Sequence, residues 1–177
     1  MYETVLIAGH GGQGVLFAGR VLAQAALDAG YFTTYFPSYG AEIRGGTANC
    51  TVIISDEEIG SPIVTRWKNL ILLNNPSFEK FKDCGLEQHF CIVNSSLVEA
   101  VPKCSEEECI SAPLTEICKK DFDDSKYTNI VALGVFIKSS SLLPMKTVEE
   151  SLRKVLSAKK GLVEINIKAL NTGAECK

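Results

Sequence analysis

The run Thr4-Val5-Leu6-Ile7-Ala8 leads without a spacer into Gly9-His10-Gly11-Gly12-Gln13-Gly14 and then into a helical pattern from Val15 to Ala29, an order that few folds accommodate. A β-like segment, a glycine loop and a helix in immediate succession read as the opening of an α/β sheet. Glycine lacks a Cβ, so the backbone can turn at positive φ and approach a ligand or a neighbouring chain closely. The free N–H groups at the start of the following helix favour negative charge, which makes the loop a candidate anion cradle.

The chain has 177 residues, of which 46% are hydrophobic, enough for one well-cored domain over residues 1–177 and short for two. Its 18 basic and 21 acidic residues leave a net charge of −3 without a long block of one sign, so no nucleic-acid footprint is expected. The longest apolar run, Ile130 to Ile137, falls short of the roughly 18 residues that a membrane span needs. No basic segment followed by an apolar stretch and a small-residue cleavage site opens the sequence, and a cytoplasmic protein is expected.

Seven cysteines, at 50, 84, 91, 104, 109, 118 and 176, raise the question of a disulfide framework, zinc or an iron–sulfur cluster. None forms a C-x-x-C pair, the Cys104 to Cys109 spacing does not repeat, and only His10 and His89 could supplement them. Reduced, mostly structural thiols are expected, with no metal site.

Patterns alternate along the rest of the chain. Arg20, Gln24 and Asp28 form the one polar stripe of an otherwise apolar first helix, which Gly30 should stop. Tyr31 to Phe36 reads as a second strand ended by Pro37, giving a β-α-β unit. Ala48, Cys50, Val52 and Ile54 alternate with more polar neighbours as a third strand, and Ile59 to Val64 is expected to return as its hairpin partner. Strands are predicted at Asn69–Asn74, His89–Asn94 and Cys109–Pro113, and helices from Ser77, from Leu114, over Asn129–Lys138, over Lys146–Leu156 with Glu149 and Glu150 in its first turn, and over Gly161–Leu170. Val101 to Glu108 reads as a surface connection. The expected fold class is α/β: a single domain with a mostly parallel Rossmann-like sheet, helices on both faces and an inserted β-hairpin.

Gly9, Gly11 and Gly14 satisfy G-x-G-x-x-G in the correct strand-to-helix context. A dinucleotide site also needs an acid at the end of the second strand to hold a ribose hydroxyl, but Phe36-Pro37-Ser38-Tyr39 stands there and Glu42 lies beyond it. A tight turn with no ligand, another phosphate site and a subunit contact all remain open. His10 has no nearby carboxylate or second histidine, so a structural role competes with titration, and Gln13 could serve only to orient the turn. In the second loop, Pro37 to Cys50, extended backbone would project Glu42 and Arg44 to one side, as a solvated ion pair or as opposite charges offered to a partner. Both loops are expected to leave the carboxyl ends of adjacent parallel strands, where open α/β sheets place ligands.

Taken in order, G-x-G-G-Q-G, then P-S-Y-G-A-E-I-R-G-G-T-A-N-C, then Ile54-Ser55-Asp56 leading to Ile59-Gly60-Ser61-Pro62-Ile63-Val64, closely resemble the gamma subunit of 2-oxoacid:ferredoxin oxidoreductases. The resemblance runs to Asn166-Ile167-Lys168-Ala169-Leu170 and Gly173, and the Tyr39 to Gly46 wording is more similar to the 2-oxoglutarate or branched-chain 2-oxoacid branch than to the pyruvate branch.

The resemblance implies a subunit of an assembly that oxidatively decarboxylates a 2-oxoacid with coenzyme A, giving an acyl-CoA, carbon dioxide and reduced ferredoxin. Thiamine diphosphate with Mg and iron–sulfur clusters would carry that chemistry in the complex. Asn74-Asn75 has no preceding G-D-G and the cysteine spacings fit no cluster motif, so neither cofactor is expected on this chain. Catalytic residues are then expected on alpha and beta partners, with delta as a further subunit and ferredoxin reached through the complex. The isolated chain is expected to be inactive and could pair with itself. Gly9, Gly11, Gly12, Gln13, Gly14, Tyr39, Gly40, Glu42, Arg44, Gly45 and Gly46 become the candidate partner-facing or coenzyme-facing residues, with Arg44 the strongest for a phosphate because its planar fork is permanently charged. A stand-alone nucleotide-binding α/β protein and a purely structural interaction module are the other classes left open.

Overall fold

The computed structural model of the chain describes residues 1–39, 47–100 and 109–176, with the backbone alone for Tyr39 and residues 86–89. Six strands, β1 (Tyr2–His10), β2 (Phe32–Tyr39), β3 (Thr47–Ser55), β4 (Trp67–Leu72), β5 (Gly85–Asn94) and β6 (Cys109–Ala112), form one sheet in the order β2-β3-β1-β4-β5-β6. Six helices complete the described fold: α1 (Val15–Asp28), α2 (Asn75–Phe81), α3 (Leu114–Phe122), α4 (Thr128–Ser140), α5 (Met145–Val155) and α6 (Val163–Glu175). The α/β class, the mostly parallel sheet and the helices on both faces agree with the sequence reading.

Strands β1, β4, β5 and β6 pair in parallel, whereas β3 runs antiparallel to both β1 and β2. The inserted hairpin is therefore β2–β3, not β3 with Ile59–Val64. With β1 on one side and β2 on the other, β3 has no free edge for a third strand, and residues 59–64 lie outside the sheet. For the same reason the expected β-α-β unit is corrected: β2 runs the same way as β1, but β3 lies between them. Pro37 does not end β2, where it faces Cys50, because β2 is an edge strand and one side of its backbone makes no ladder bonds.

Alternation along β1 divides the core. Val5 and Ile7 join the large cluster under α1, α3, α4, α5 and α6, while Leu6 and Ala8 join the smaller one with Trp67, Phe78 and Phe81 beneath α2. Helix α4 is apolar all round because neighbours cover it all round, with every residue from Thr128 to Ile137 buried. Helix α5 opens at Met145, so Glu149 and Glu150 fall in its second turn; the last helix starts at Val163 after a short 3-10 turn and runs on to Glu175. The Val101 to Glu108 connection lies outside the described residues. Among the described residues no helix is long and apolar enough to cross a membrane.

Candidate functional site

The glycine loop leaves β1 at His10 and enters α1 at Gly14, which has φ 71° and is the N-cap of the helix without a side-chain cap. Gly12 has φ 105°, also left-handed, so both positions call for residues without a Cβ. Gly9 is glycine for a different reason, since a Cβ there would lie 2.5 Å from the Oε1 of Gln13. The Gln13 side chain occupies that space and splints the loop: its Oε1 accepts the His10 backbone N–H at 2.9 Å and its Nε2 donates to the Leu73 carbonyl at 3.3 Å. His10 is exposed, and its Nδ1 lies 2.9 Å from the Gly11 carbonyl oxygen, which only a protonated ring nitrogen can serve.

Parallel neighbours β1 and β4 are the strands between which the chain connections change direction, the place where open α/β sheets bind ligands. Here the Gln13-to-Leu73 bond bridges that crevice with the chain's own side chain. The strand beyond it ends in Leu72-Leu73-Asn74, with no acid to hold a ribose, and Asn74 is committed to accepting the Ser77 N–H as the N-cap of α2. A dinucleotide laid across this crevice would have to displace the splint.

Tyr39 pairs with Ala48 and His10 pairs with Thr47, so the end of β1, the end of β2 and the start of β3 lie at one end of the sheet. At roughly 4.8 Å between neighbouring strands, the ends of β1 and β2 are about 10 Å apart. Gly40, Glu42, Arg44, Gly45 and Gly46, and the side chain of Tyr39, lie outside the described residues. The two loops do not leave adjacent strands, as the sequence suggested, but strands flanking β3.

The polar stripe of α1 has a structural use. Asp28 pairs with Lys154 at 2.8 Å and accepts from Ser151 Oγ at 2.6 Å and Gln24 Nε2 at 3.0 Å, which docks α5 on α1. Its carboxyl is held below the usual range, chiefly by the Lys154 ammonium and then by the Ser151 hydroxyl. Arg20 and Gln24 line a shallow groove of about 190 Å³ between α1 and β2, away from the glycine loop.

Iron–sulfur ligation calls for thiols close together. Cys50 on β3, Cys91 on β5 and Cys118 on α3 are buried, and that burial pushes their thiols up to about 12, 12 and 11. Among the described residues no group of three or more His, Cys, Asp or Glu could hold a metal ion. Cys109 departs from the expectation of reduced thiols, because it is disulfide-bonded. It sits on a short edge strand that packs against the smaller core.

Three asparagines of the site were not among the expected site residues. Asn129, the second residue of α4, is 3% exposed and donates from Nδ2 to the Gly14 carbonyl at 2.9 Å, while its Oδ1 is buried without a partner among the described residues. Asn94 and Asn74 fix the ends of β5 and α2. A polar residue at the boundary of an apolar run was the one sequence signal available for them.

The fold and site define an α/β domain whose glycine loop is internally splinted and shares its end of the sheet with the end of β2 and the start of β3. A family model described as pyruvate ferredoxin/flavodoxin oxidoreductase matches residues 4–176. The ketoisovalerate oxidoreductase subunit VorA of Methanothermobacter thermautotrophicus is 35% identical over 97% of this chain and 35% of its own length. The 2-oxoglutarate synthase subunit KorC of Archaeoglobus fulgidus is 32% identical over 97% of this chain and 86% of its own. A solved structure, the gamma subunit of a keto/oxoacid ferredoxin oxidoreductase from Geobacter sulfurreducens, superposes with a TM-score of 0.84 at 29% identity, covering 99% of this chain and 95% of that one. The chain belongs to the pyruvate ferredoxin/flavodoxin oxidoreductase family. It spans about a third of the length of the VorA relatives and most of the KorC subunit.

Proposed function

We propose that this chain is the gamma component of a multisubunit 2-oxoacid:ferredoxin oxidoreductase, cytoplasmic, and that the sheet end carrying residues 9–14 and 39–46 is the face that meets its catalytic partners. The observation that carries this reading is the register, which pairs His10 with Thr47 and Tyr39 with Ala48 and so brings the ends of both loops together. A loop held by Gln13 and Asn129 from within presents its exposed Gly11 and Gly12 backbone at little conformational cost on binding. The reaction is oxidative decarboxylation of a 2-oxoacid, 2-oxoglutarate or a branched-chain 2-oxoacid before pyruvate, with thiamine diphosphate, Mg and iron–sulfur clusters on the alpha, beta and delta partners. This chain contributes no group to the bond-breaking step. Its part is to complete the assembly and help enclose coenzyme A, with Arg44 as the directional phosphate donor and the uncapped start of α1 as a second anion-favouring element.

Reconstitution with the alpha and beta subunits and a 2-oxoacid panel, with coenzyme A and a viologen acceptor, tests the reading. Activity should require this chain, and Arg44→Ala should raise the coenzyme A KM about tenfold or weaken assembly. An unchanged KM with unchanged assembly would remove Arg44 from the site, and activity of the chain alone would favour a stand-alone enzyme.

A further inference from the structure

Two side-chain amides converge on one carbonyl just past the end of β4. Leu73 extends the β1–β4 ladder by donating its N–H to Ala8 at 2.9 Å, and its carbonyl accepts both Gln13 Nε2 at 3.3 Å and Asn94 Nδ2 at 3.1 Å. Asn94 is fully buried at the end of β5. Its remaining polar capacity goes to the start of α3: Nδ2 also donates to Thr115 Oγ1 at 2.9 Å, and Oδ1 accepts the Thr115 N–H at 3.3 Å. Helix α3 has no side-chain cap from Pro113; Asn94 at the end of β5 and Ser96 in the turn after it supply one, the latter accepting the Glu116 N–H at 3.2 Å. With both faces of its amide used, Asn94 can hold only one orientation, because a flip would set oxygen against the Leu73 carbonyl and NH₂ against the Thr115 N–H.

An unbroken hydrogen-bonded chain thus runs from the His10 N–H through Gln13, the Leu73 carbonyl and Asn94 to α3. It crosses the carboxyl ends of β1, β4 and β5, from the exposed His10 through the half-buried Gln13 to the buried Leu73 and Asn94. The Leu73 carbonyl is where Gln13 takes its bearing, and Asn94 is what aims that carbonyl from the opposite side.

We propose that Asn94, a buried residue outside both loop motifs, is a positioning residue for the glycine loop, acting on it through the Leu73 carbonyl and Gln13. The functional consequence rests on the partner-facing reading above; the structural claim does not. In the full chain, Asn94→Ser should raise the hydrogen-exchange rate of the His10 amide, which reports the Gln13 splint, at least tenfold more than those of Leu6 and Ile7 in the same strand. Thr115→Val removes the hydroxyl on the far side of Asn94 and leaves its bond to Leu73, so the His10 amide should keep the same rate relative to the strand. Should Asn94→Ser not fold, Asn94→Thr stays close to the volume and removes the amide, with the same expected pattern. Exchange at His10 that is unchanged, or that rises only in step with Leu6 and Ile7, overturns the proposal. In the reconstituted complex, titration of Asn94→Ser should show about a tenfold weaker apparent Kd with the plateau rate retained. Local loosening at His10 with no change in Kd would uphold the positioning role and refute the partner-facing loop.

Discussion

Gly134 and Gly173 let α4 and α6 pack backbone against backbone, and Gly134→Ala tests what that contact is worth. A Cβ on Gly134 would lie 2.9 Å from the Leu170 carbonyl carbon, 3.1 Å from the Ala174 nitrogen and closer still to the Leu170 oxygen. Gly173 faces Val131 and Val135 in the same way, at 2.8 and 3.0 Å from the corresponding carbon and nitrogen. Because the obstacles are backbone atoms, no side chain can swing aside and the helices must part by about 1 Å, a gap that forfeits a quarter to a half of each dispersion contact along the crossing. Overpacking of this kind costs about 1–3 kcal/mol, here toward or past the upper end because the neighbour is rigid, and alanine returns about 1 kcal/mol of helix propensity. The expected net loss is about 2 kcal/mol, or about 4–8 °C in Tm for a chain of this size, read by calorimetry or urea unfolding. Since one displacement relieves both clashes, Gly134→Ala with Gly173→Ala should cost less than the sum of the singles. A neutral or stabilising Gly134→Ala, or strict additivity of the pair, would refute the reasoning.

Asp28→Asn should destabilise the chain by about 1 kcal/mol at pH 7, because the docking of α5 loses its charge-assisted bonds. The depressed folded pKa of Asp28 means that its stabilisation is complete above the unfolded value of about 3.9 and is lost as pH falls through the folded value, so the gap between wild type and variant should close in acid unfolding curves; a gap unchanged at low pH would sink this account. With thiols pushed up to about 12, 12 and 11, Cys50, Cys91 and Cys118 should resist a thiolate-directed reagent at pH 8 in the native chain and react once it is unfolded in denaturant, a difference that peptide mapping of the labelled sites would record.

Both ends of the recognition problem were legible where the signal is local. Gly14 and Gly12 needed left-handed φ, and a glycine run between a strand and a helix announces that need. The apolar run Ile130 to Ile137 announced a helix, and the helix expected from Ser77 is present, opening two residues earlier at Asn75. What failed was pairing. Ile59 to Val64 carries strand-like residues, yet whether it finds a partner depends on β3 having a free edge, and nothing within residues 47–64 says that β1 already occupies it. Pro37 was misjudged for the same reason, since its cost depends on whether β2 lies at the edge of the sheet. In the site, Gln13 was singled out but its partner was not, because Leu73 is 60 residues away and contributes only a carbonyl.

The amino-acid sequence by itself determined most of the element types, the glycine loop and the family, since each rests on residues close along the chain or on their order. Tertiary structure alone decided that β3 separates β1 from β2, that Gln13 closes the crevice a dinucleotide would use, and that Asn94 and Asn129 hold the loop from β5 and α4. Those outcomes are set by which backbone groups are left unpaired once the sheet has formed. A buried carbonyl such as that of Leu73 takes its donors from whatever folding brings beside it, and no local pattern encodes that choice.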